Sequence, residues 1–104
     1  MKVYVVCSQN ICRSPMAEML IERELRKRQI DGISVYSCGL WAPEGAPASQ
    51  GAVNVMLKRG LSLSWHRSRR MHASLVEKDT IFLAVTQEYK DYLIQHFPGI
   101  RAYT

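Results

Sequence analysis

Three short apolar runs, each followed by a helical pattern, constrain the fold of this chain more than any other feature. The runs are short, rich in β-branched and aromatic residues, and typical of buried strands. They cover residues 2–6, 33–37 and 80–85. Strands that alternate with helices predict a parallel sheet with helices on both faces, in which ligands bind beyond the carboxyl ends of the strands.

The helix boundaries are predicted from capping residues. Ser14 is a candidate N-cap, and Pro15 suits the first helical position. From there, apolar residues at four-residue spacing predict a helix to about Gln29. Thr86 is the predicted cap of the last helix. The tail at 101–104 is predicted to begin another strand.

Length and charge bound the possible functions. The 104 residues suffice for one domain, and the net charge of +5 suits an anionic partner, although basic residues on solvated helix faces would give the same charge. The apolar run at 3–7 is too short for a signal-peptide core or a membrane span, so we expect a cytoplasmic protein without a membrane partner. No recognition motif supports nucleic-acid binding, and we do not expect it.

The cysteine and histidine positions argue against a structural disulfide framework and against a zinc site. The chain has three cysteines, an odd number, and contains no CxxC pair. Its histidines are scattered at positions 66, 72 and 96. We therefore expect no metal and no cofactor, and each cysteine is interpreted as either buried or chemically active.

The segment from Cys7 to Ser14 joins the first strand to the first helix, and its composition suits an anion. A tight loop of this kind turns backbone N–H groups inward, and the helix N-terminus adds unpaired donors. Arg13 adds a planar fork that matches two phosphate oxygens. The loop is therefore predicted to bind a tetrahedral dianion.

Cys7 is predicted to lie beneath that anion, at the end of the strand. Donors that hold a phosphate would also stabilise a thiolate, and Ser14 can donate a hydrogen bond to the sulfur. A nucleophile inside a phosphate site implies a covalent phospho-cysteine intermediate. The alternative is that Cys7 only fills the core, although Leu or Val would serve that purpose better.

The stretch VCSQNICRSPMAE is similar to the signature loop of the low-molecular-weight protein tyrosine phosphatases, C-x-x-N-x-C-R-S-P-x-A-E. Further similar stretches are YSCGLWAPEGAPAS, GLSLSWHRSRRM and DTIFLAVTQEYKDYLIQHFP. The resemblance covers essentially the whole chain. It implies an α/β fold of the flavodoxin-like kind, with three α/β/α layers and a parallel sheet in the order 2-1-3-4.

The resemblance implies roles for individual residues. Cys7 matches the nucleophile, Arg13 the phosphate-binding arginine, and Ser14 the serine that stabilises the thiolate. Asn10 matches a loop-shaping asparagine in a left-handed conformation, which Asn tolerates. His66 matches a histidine that braces this asparagine, although a solvated histidine is the simpler interpretation of the residue alone.

The remaining loop residues are assigned to substrate binding, and Trp41 is a further candidate. The loop residues are Ser8, Gln9, Asn10, Ile11 and Cys12. Cys12 is expected either to be buried or to form a reversible disulfide with Cys7, as the resemblance implies. Cys38 is expected in the core. Trp41 either lines another wall of the pocket or is simply an exposed or core tryptophan.

Two features depart from the family pattern. Gln9 stands where the family usually has Gly, which matters if the position needs a positive φ. The family also has an Asp-Pro loop whose aspartate protonates the leaving group, and this chain contains no Asp-Pro. We therefore expect residues 1–104 to form a single phosphatase domain whose C-terminal strand, acid loop and last helix are truncated. Glu44 and Glu88 lie in segments at the correct end of the sheet, but no pattern marks either as an acid.

The predicted function is hydrolysis of phosphotyrosine in proteins through a phospho-cysteine, impaired if the acid loop is missing. The resemblance implies that residue 11 faces the pocket, where the apolar Ile11 suits an aromatic ring and a Thr would suit phosphoarginine. The alternatives are a phosphoarginine phosphatase and a phosphate- or phosphopeptide-binding module with little turnover. Arsenate reductases use a similar loop but need further cysteines, and this chain has none after Cys38. The expected partners are a phosphorylated protein or peptide and an oxyanion in the loop.

Overall fold

The computed structural model describes all 104 residues and consists of one four-stranded sheet with three α-helices. The strands are β1 (Lys2–Cys7), β2 (Ser34–Gly39), β3 (Thr80–Ala84) and β4 (Ala102–Tyr103). The helices are α1 (Arg13–Lys27), α2 (Gln50–Leu57) and α3 (Gln87–His96), and a short 3₁₀ helix covers Ala73–Leu75.

The sheet is parallel throughout, and its order β2-β1-β3-β4 confirms the predicted fold. One apolar cluster joins β1 and β3 to α3 through Val6, Phe82 and Leu93, each 0% exposed. A second cluster packs Met56 of α2 and Leu63 against apolar side chains of α1. The helices thus form a layer on each side of the sheet, and all strands end at the edge where α1 and α3 begin.

The start of α1 differs from the prediction. The helix begins at Arg13 and its N-cap is Cys12, which makes no side-chain capping bond. Ser14 is therefore not the N-cap, because its hydroxyl is held inside the molecule by Cys7 and Asn10. Thr86 does cap α3, since its side chain accepts a hydrogen bond from the backbone N–H of Tyr89.

Three other boundaries refine the sequence interpretation. Strand β2 continues to Gly39, two residues beyond the predicted end. Helix α1 ends at Lys27 rather than near Gln29, whose φ is 55°. The predicted strand in the tail is present as β4, which pairs with β3 over two residues. None of the helices has the length and apolar character needed to cross a lipid bilayer.

Candidate active site

The segment between β1 and α1, here called the Cys7 loop (residues 7–14), wraps around a cavity. The cavity has a volume of about 180 Å³ and is lined by seven consecutive residues. They are Cys7, Ser8, Gln9, Asn10, Ile11, Cys12 and Arg13. The loop therefore encloses a cavity at the carboxyl edge of the sheet, the edge at which the sequence predicts the binding site.

Neighbouring backbone holds the Cys7 loop in this shape. The N–H groups of Leu40 and Trp41 donate to the carbonyl oxygens of Cys7 and Ser8, both at 2.9 Å. Gly39, which ends β2, lies so close to the loop that a Cβ there would be 2.7 Å from the carbonyl oxygen of Ser8. Any larger residue at position 39 would displace the loop, so the shape of the site depends on this glycine.

Asn10 is the centre of the hydrogen-bond network behind the loop. Its φ of 58° is in the left-handed region, as expected, and the residue is fully buried. The backbone N–H of Arg69 donates to its Oδ1 at 2.8 Å, which fixes the orientation of the amide. Its Nδ2 can then only donate, and it reaches the hydroxyl oxygens of Ser14 at 2.8 Å and Ser37 at 2.9 Å.

The two hydrogen bonds that Asn10 donates leave the hydroxyl protons of Ser14 and Ser37 available for other acceptors. The oxygen of Ser14 accepts from Asn10 and lies 2.9 Å from the sulfur of Cys7, so the Ser14 hydroxyl is the donor of this contact when Cys7 is a thiolate, which can only accept. The backbone N–H of Asn10 also donates to this sulfur at 3.2 Å. A thiolate at Cys7 would therefore accept from two donors, in a residue that is only 3% exposed, and this arrangement stabilises the anion.

The second hydroxyl directs its proton away from the loop. Ser37 accepts from Asn10 and donates to Oε1 of Glu18 at 2.6 Å. Burial raises the pKa of the Glu18 carboxyl, and the hydrogen bond from Ser37 opposes that effect. Glu18 therefore provides the acceptor at the far end of a chain that runs from the sulfur through Ser14, Asn10 and Ser37.

His66 braces the loop from the opposite side, as the resemblance implied. The ring is buried, and its Nε2 lies 2.6 Å from the carbonyl oxygen of Asn10. A carbonyl only accepts, so Nε2 carries a proton. Burial lowers the pKa of His66, which favours the neutral ring with its proton on Nε2. His66 is thus a structural donor to the backbone of the loop.

Arg13 lies at the mouth of the cavity and is exposed. Its guanidinium donates a hydrogen bond of 3.2 Å to the hydroxyl of Tyr89, and its central carbon is 5.6 Å from the centre of that ring. These contacts with Tyr89 hold the otherwise flexible side chain of Arg13 beside the cavity. The sequence had assigned no role to Tyr89.

Four other residues considered in the sequence analysis have the following positions in the structure. Gln9 is exposed and its φ is not positive, so the change from Gly introduces no backbone strain there. Cys12 is exposed, which excludes burial and leaves the reversible disulfide with Cys7 as the remaining prediction for this residue. Trp41 is 49% exposed and does not line the Cys7 cavity, but it borders a second cavity beside α3. Cys38 is in the core, as expected, and burial raises the pKa of its thiol to about 12.

Sequence reasoning missed four residues of the site: Gly39, Ser37, Glu18 and Tyr89. Glu18 belongs to the signature segment and follows Ser14 by one helical turn, so its spacing was a usable signal. The other three lie on distant elements, and no local pattern connects them with Cys7. No cluster of three or more potential metal ligands is present.

Comparison with known proteins shows the family of this chain and confirms its fold. The family model for low molecular weight phosphotyrosine protein phosphatases matches residues 2–102. The chain superposes with a TM-score of 0.91 on the crystal structure of a low molecular weight protein tyrosine phosphatase from T. tengcongensis. The two are 34% identical, and the match covers 100% of this chain and 72% of that one.

Two curated relatives carry different activities in their names. A probable low molecular weight protein-tyrosine-phosphatase EpsP from Ralstonia nicotianae is 38% identical over 93% of this chain and 63% of its own length. A protein-arginine-phosphatase from Geobacillus stearothermophilus is 36% identical over 93% of this chain and 62% of its own length. The chain belongs to the low molecular weight phosphotyrosine protein phosphatase family, and it spans less than two thirds of the length of these relatives.

Proposed function

We propose that this chain is a cysteine-based protein phosphatase that acts on phosphotyrosine. The observation that carries the proposal is that the hydroxyl of Ser14 and the backbone N–H of Asn10 lie 2.9 and 3.2 Å from the sulfur of Cys7, where both can donate to a thiolate. A buried thiol used only for packing needs no such donors, and Cys38 in the core has none from nitrogen or oxygen. The donors instead suit a thiolate nucleophile.

In the proposed reaction the phosphoryl group enters the Cys7 cavity, where backbone N–H groups and Arg13 hold its oxygens. The Cys7 thiolate attacks phosphorus as the bond to the substrate oxygen breaks, leaving a phospho-cysteine. Water then attacks phosphorus, which releases inorganic phosphate and restores the thiolate. The sulfur of Cys7 is the leaving group of this second step, and the hydroxyl of Ser14 stabilises the thiolate that forms.

The preferred substrate is proposed from Ile11, which lines the cavity with an apolar side chain. An apolar wall suits the ring of phosphotyrosine, and the name of the Ralstonia relative fits that choice. Phosphoarginine is the second candidate, supported by the name of the Geobacillus relative. Competition between phosphotyrosine and phosphoarginine peptides decides between them, and a preference for phosphoarginine would make the assignment from Ile11 wrong.

The covalent mechanism is tested with p-nitrophenyl phosphate, whose acidic phenol leaves without a strong acid catalyst. Cys7→Ser should abolish turnover but still bind vanadate or phosphate. Mass spectrometry of acid-quenched wild-type protein should find one phosphoryl group on Cys7. Cys38→Ala, which removes a thiol from the core, serves as the matched control.

Two results would contradict the proposal. Turnover by Cys7→Ser would exclude the covalent step. Retained anion binding with no turnover in the wild type would favour a phosphate- or phosphopeptide-binding module instead.

We also propose a cytoplasmic location, supported by three cysteines that are all free, as expected in a reducing compartment.

A further inference from the structure

A second cavity lies beside α3 and is separate from the Cys7 cavity in its lining. Its volume is about 460 Å³. It is lined by Trp41, Glu88, Tyr89, Asp91, Tyr92 and Gln95, and is here called the Tyr89 pocket. Three of these six side chains are aromatic and two are acidic, a composition that is unlike that of the Cys7 cavity.

The aromatic side chains of the Tyr89 pocket support one another. Trp41 meets Tyr92 edge-on, with ring centres 5.3 Å apart and planes at 71°. It meets Tyr89 in the same manner, with centres 6.2 Å apart and planes at 78°. Trp41 nevertheless remains 49% exposed, so these contacts leave much of its surface open to a ligand. The open face of an aromatic ring such as Trp41 attracts cations.

The acidic side chains of the Tyr89 pocket have no cationic partner within the chain. The four salt bridges of the protein involve Asp79, Glu77, Glu22 and Glu24 instead. Asp91 accepts a hydrogen bond only from the neutral amide of Gln87, at 2.9 Å. In a chain of net charge +5, two unpaired carboxylates beside three aromatic rings select a positive ligand.

Two contacts join the Tyr89 pocket to the Cys7 loop. The hydroxyl of Tyr89 accepts from Arg13 at 3.2 Å, and the backbone N–H of Trp41 donates to the carbonyl of Ser8 at 2.9 Å. Tyr89 and Trp41 of this pocket thus each contact a residue that lines the Cys7 cavity. A peptide with its phosphoryl group in that cavity therefore lies next to the Tyr89 pocket.

We propose that the Tyr89 pocket binds a lysine or arginine side chain that flanks the phosphorylated residue of the substrate. This inference rests on the proposed function and adds a sequence preference to it. The cation lies against the exposed surface of Trp41 and is balanced by Glu88 and Asp91, since the guanidinium of Arg13 already lies over the ring of Tyr89. Substrates are then recognised by two charges of opposite sign, the phosphoryl anion in one cavity and the basic side chain in the other.

The test uses matched phosphotyrosine peptides in which one flanking residue is lysine, acetyl-lysine or phenylalanine, placed at each flanking position in turn. At the best position, lysine should raise kcat/KM over acetyl-lysine by roughly threefold to tenfold, mainly through KM. The ratio should fall toward one in Glu88→Gln/Asp91→Asn and at high salt. Glu24→Gln/Asp31→Asn removes two charges at the other edge of the sheet and should keep the ratio.

Binding of the same peptides to Cys7→Ser, measured by fluorescence anisotropy, separates this inference from the proposed function. A lysine preference in binding supports the pocket even if turnover is absent. Equal binding of lysine and acetyl-lysine peptides at every position, or tighter binding of phenylalanine, overturns the pocket while the phosphatase function stands. If no phosphopeptide is bound or hydrolysed, both proposals fail.

Discussion

Two turns at the same edge of the sheet lead from a strand into a helix, and they use their hydroxyl residues differently. After β3, the hydroxyl of Thr86 accepts from the backbone N–H of Tyr89 and caps α3. After β1, the hydroxyl of Ser14 contacts the sulfur of Cys7, and α1 begins without a side-chain cap. One turn stabilises its helix, whereas the other directs its polar groups at the sulfur of Cys7.

The difference shows how an ordinary strand–helix turn becomes a candidate active site. An uncapped helix start leaves N–H donors free for an anion, at the expense of local stability. The turn after β1 is stabilised instead by the hydrogen bonds of Asn10 with Ser14, Ser37 and the backbone of Arg69. Mutation of the hydroxyl residue in the turn after β3 should therefore lower mainly the stability of the protein, whereas mutation of the one in the turn after β1 should lower mainly its activity.

The largest effect after loss of Cys7 is expected from Arg13. Arg13→Lys keeps the positive charge but removes the planar fork, so kcat/KM for p-nitrophenyl phosphate should fall about 10²- to 10³-fold. Steady-state kinetics measure this, with Arg28→Lys as a control on the surface of the molecule. Near-normal activity of Arg13→Lys would mean that the turn after β1 does not clamp a phosphoryl group.

Asn10→Ala should damage both stability and activity, because the amide connects the loop to the sheet. Truncation leaves partners of Asn10 unsatisfied in a buried site and places alanine at a φ of 58°. We expect unfolding to become easier by about 1–3 kcal/mol in urea titrations. The activity of the folded fraction should also fall. A loss of stability with normal kinetics would show that the network does not position Cys7.

The clearest separation of the two turns is a pair of matched truncations. Ser14→Ala should lower kcat by roughly ten- to a hundredfold through loss of a hydrogen bond to the thiolate, with a smaller change in stability. Thr86→Ala should cost about 1 kcal/mol of stability through loss of the cap, with little change in kcat. Kinetics and urea unfolding of both variants test the comparison, and the reverse pattern would contradict it.

The smallest effect concerns pH. Burial lowers the pKa of His66 below 6.5 in the folded protein, so the unfolded chain binds the proton first as pH falls. The contribution of His66 to stability should therefore be lost as pH drops below about 6.5. Glu18 acts in the opposite sense, because its raised pKa makes folding less favourable as pH rises above its ordinary value.

The contribution of His66 is isolated by comparing wild type with His66→Gln in urea unfolding at several pH values. The stability of the wild type should fall more between neutral pH and pH values below about 6.5 than that of the variant. Parallel curves for the two proteins would show that the histidine is not held neutral beneath Asn10.

Much of the fold could be predicted from local sequence because each strand and helix carries its own pattern. The strands, the cap at Thr86 and the order 2-1-3-4 were all predicted, the order through the family resemblance. Ser14 shows the limit of this reasoning. Its position suits a cap, and only the approach of Cys7 and Asn10 in space shows that the hydroxyl is used otherwise.

The sequence by itself determined the loop from Cys7 to Arg13, because consecutive residues on a tight turn must share one site. Tertiary structure alone brought Ser37, Tyr89 and Gly39 to that loop from other elements. The contacts of Ser37 and Gly39 depend on the pairing of β2 with β1, and that of Tyr89 depends on where α3 packs. These elements lie far from the loop along the chain, so local propensity does not show which of their residues meet it. The hydrogen-bond partners of Ser14 and Ser37, and the acidic aromatic pocket beside Tyr89, were likewise decided only by packing.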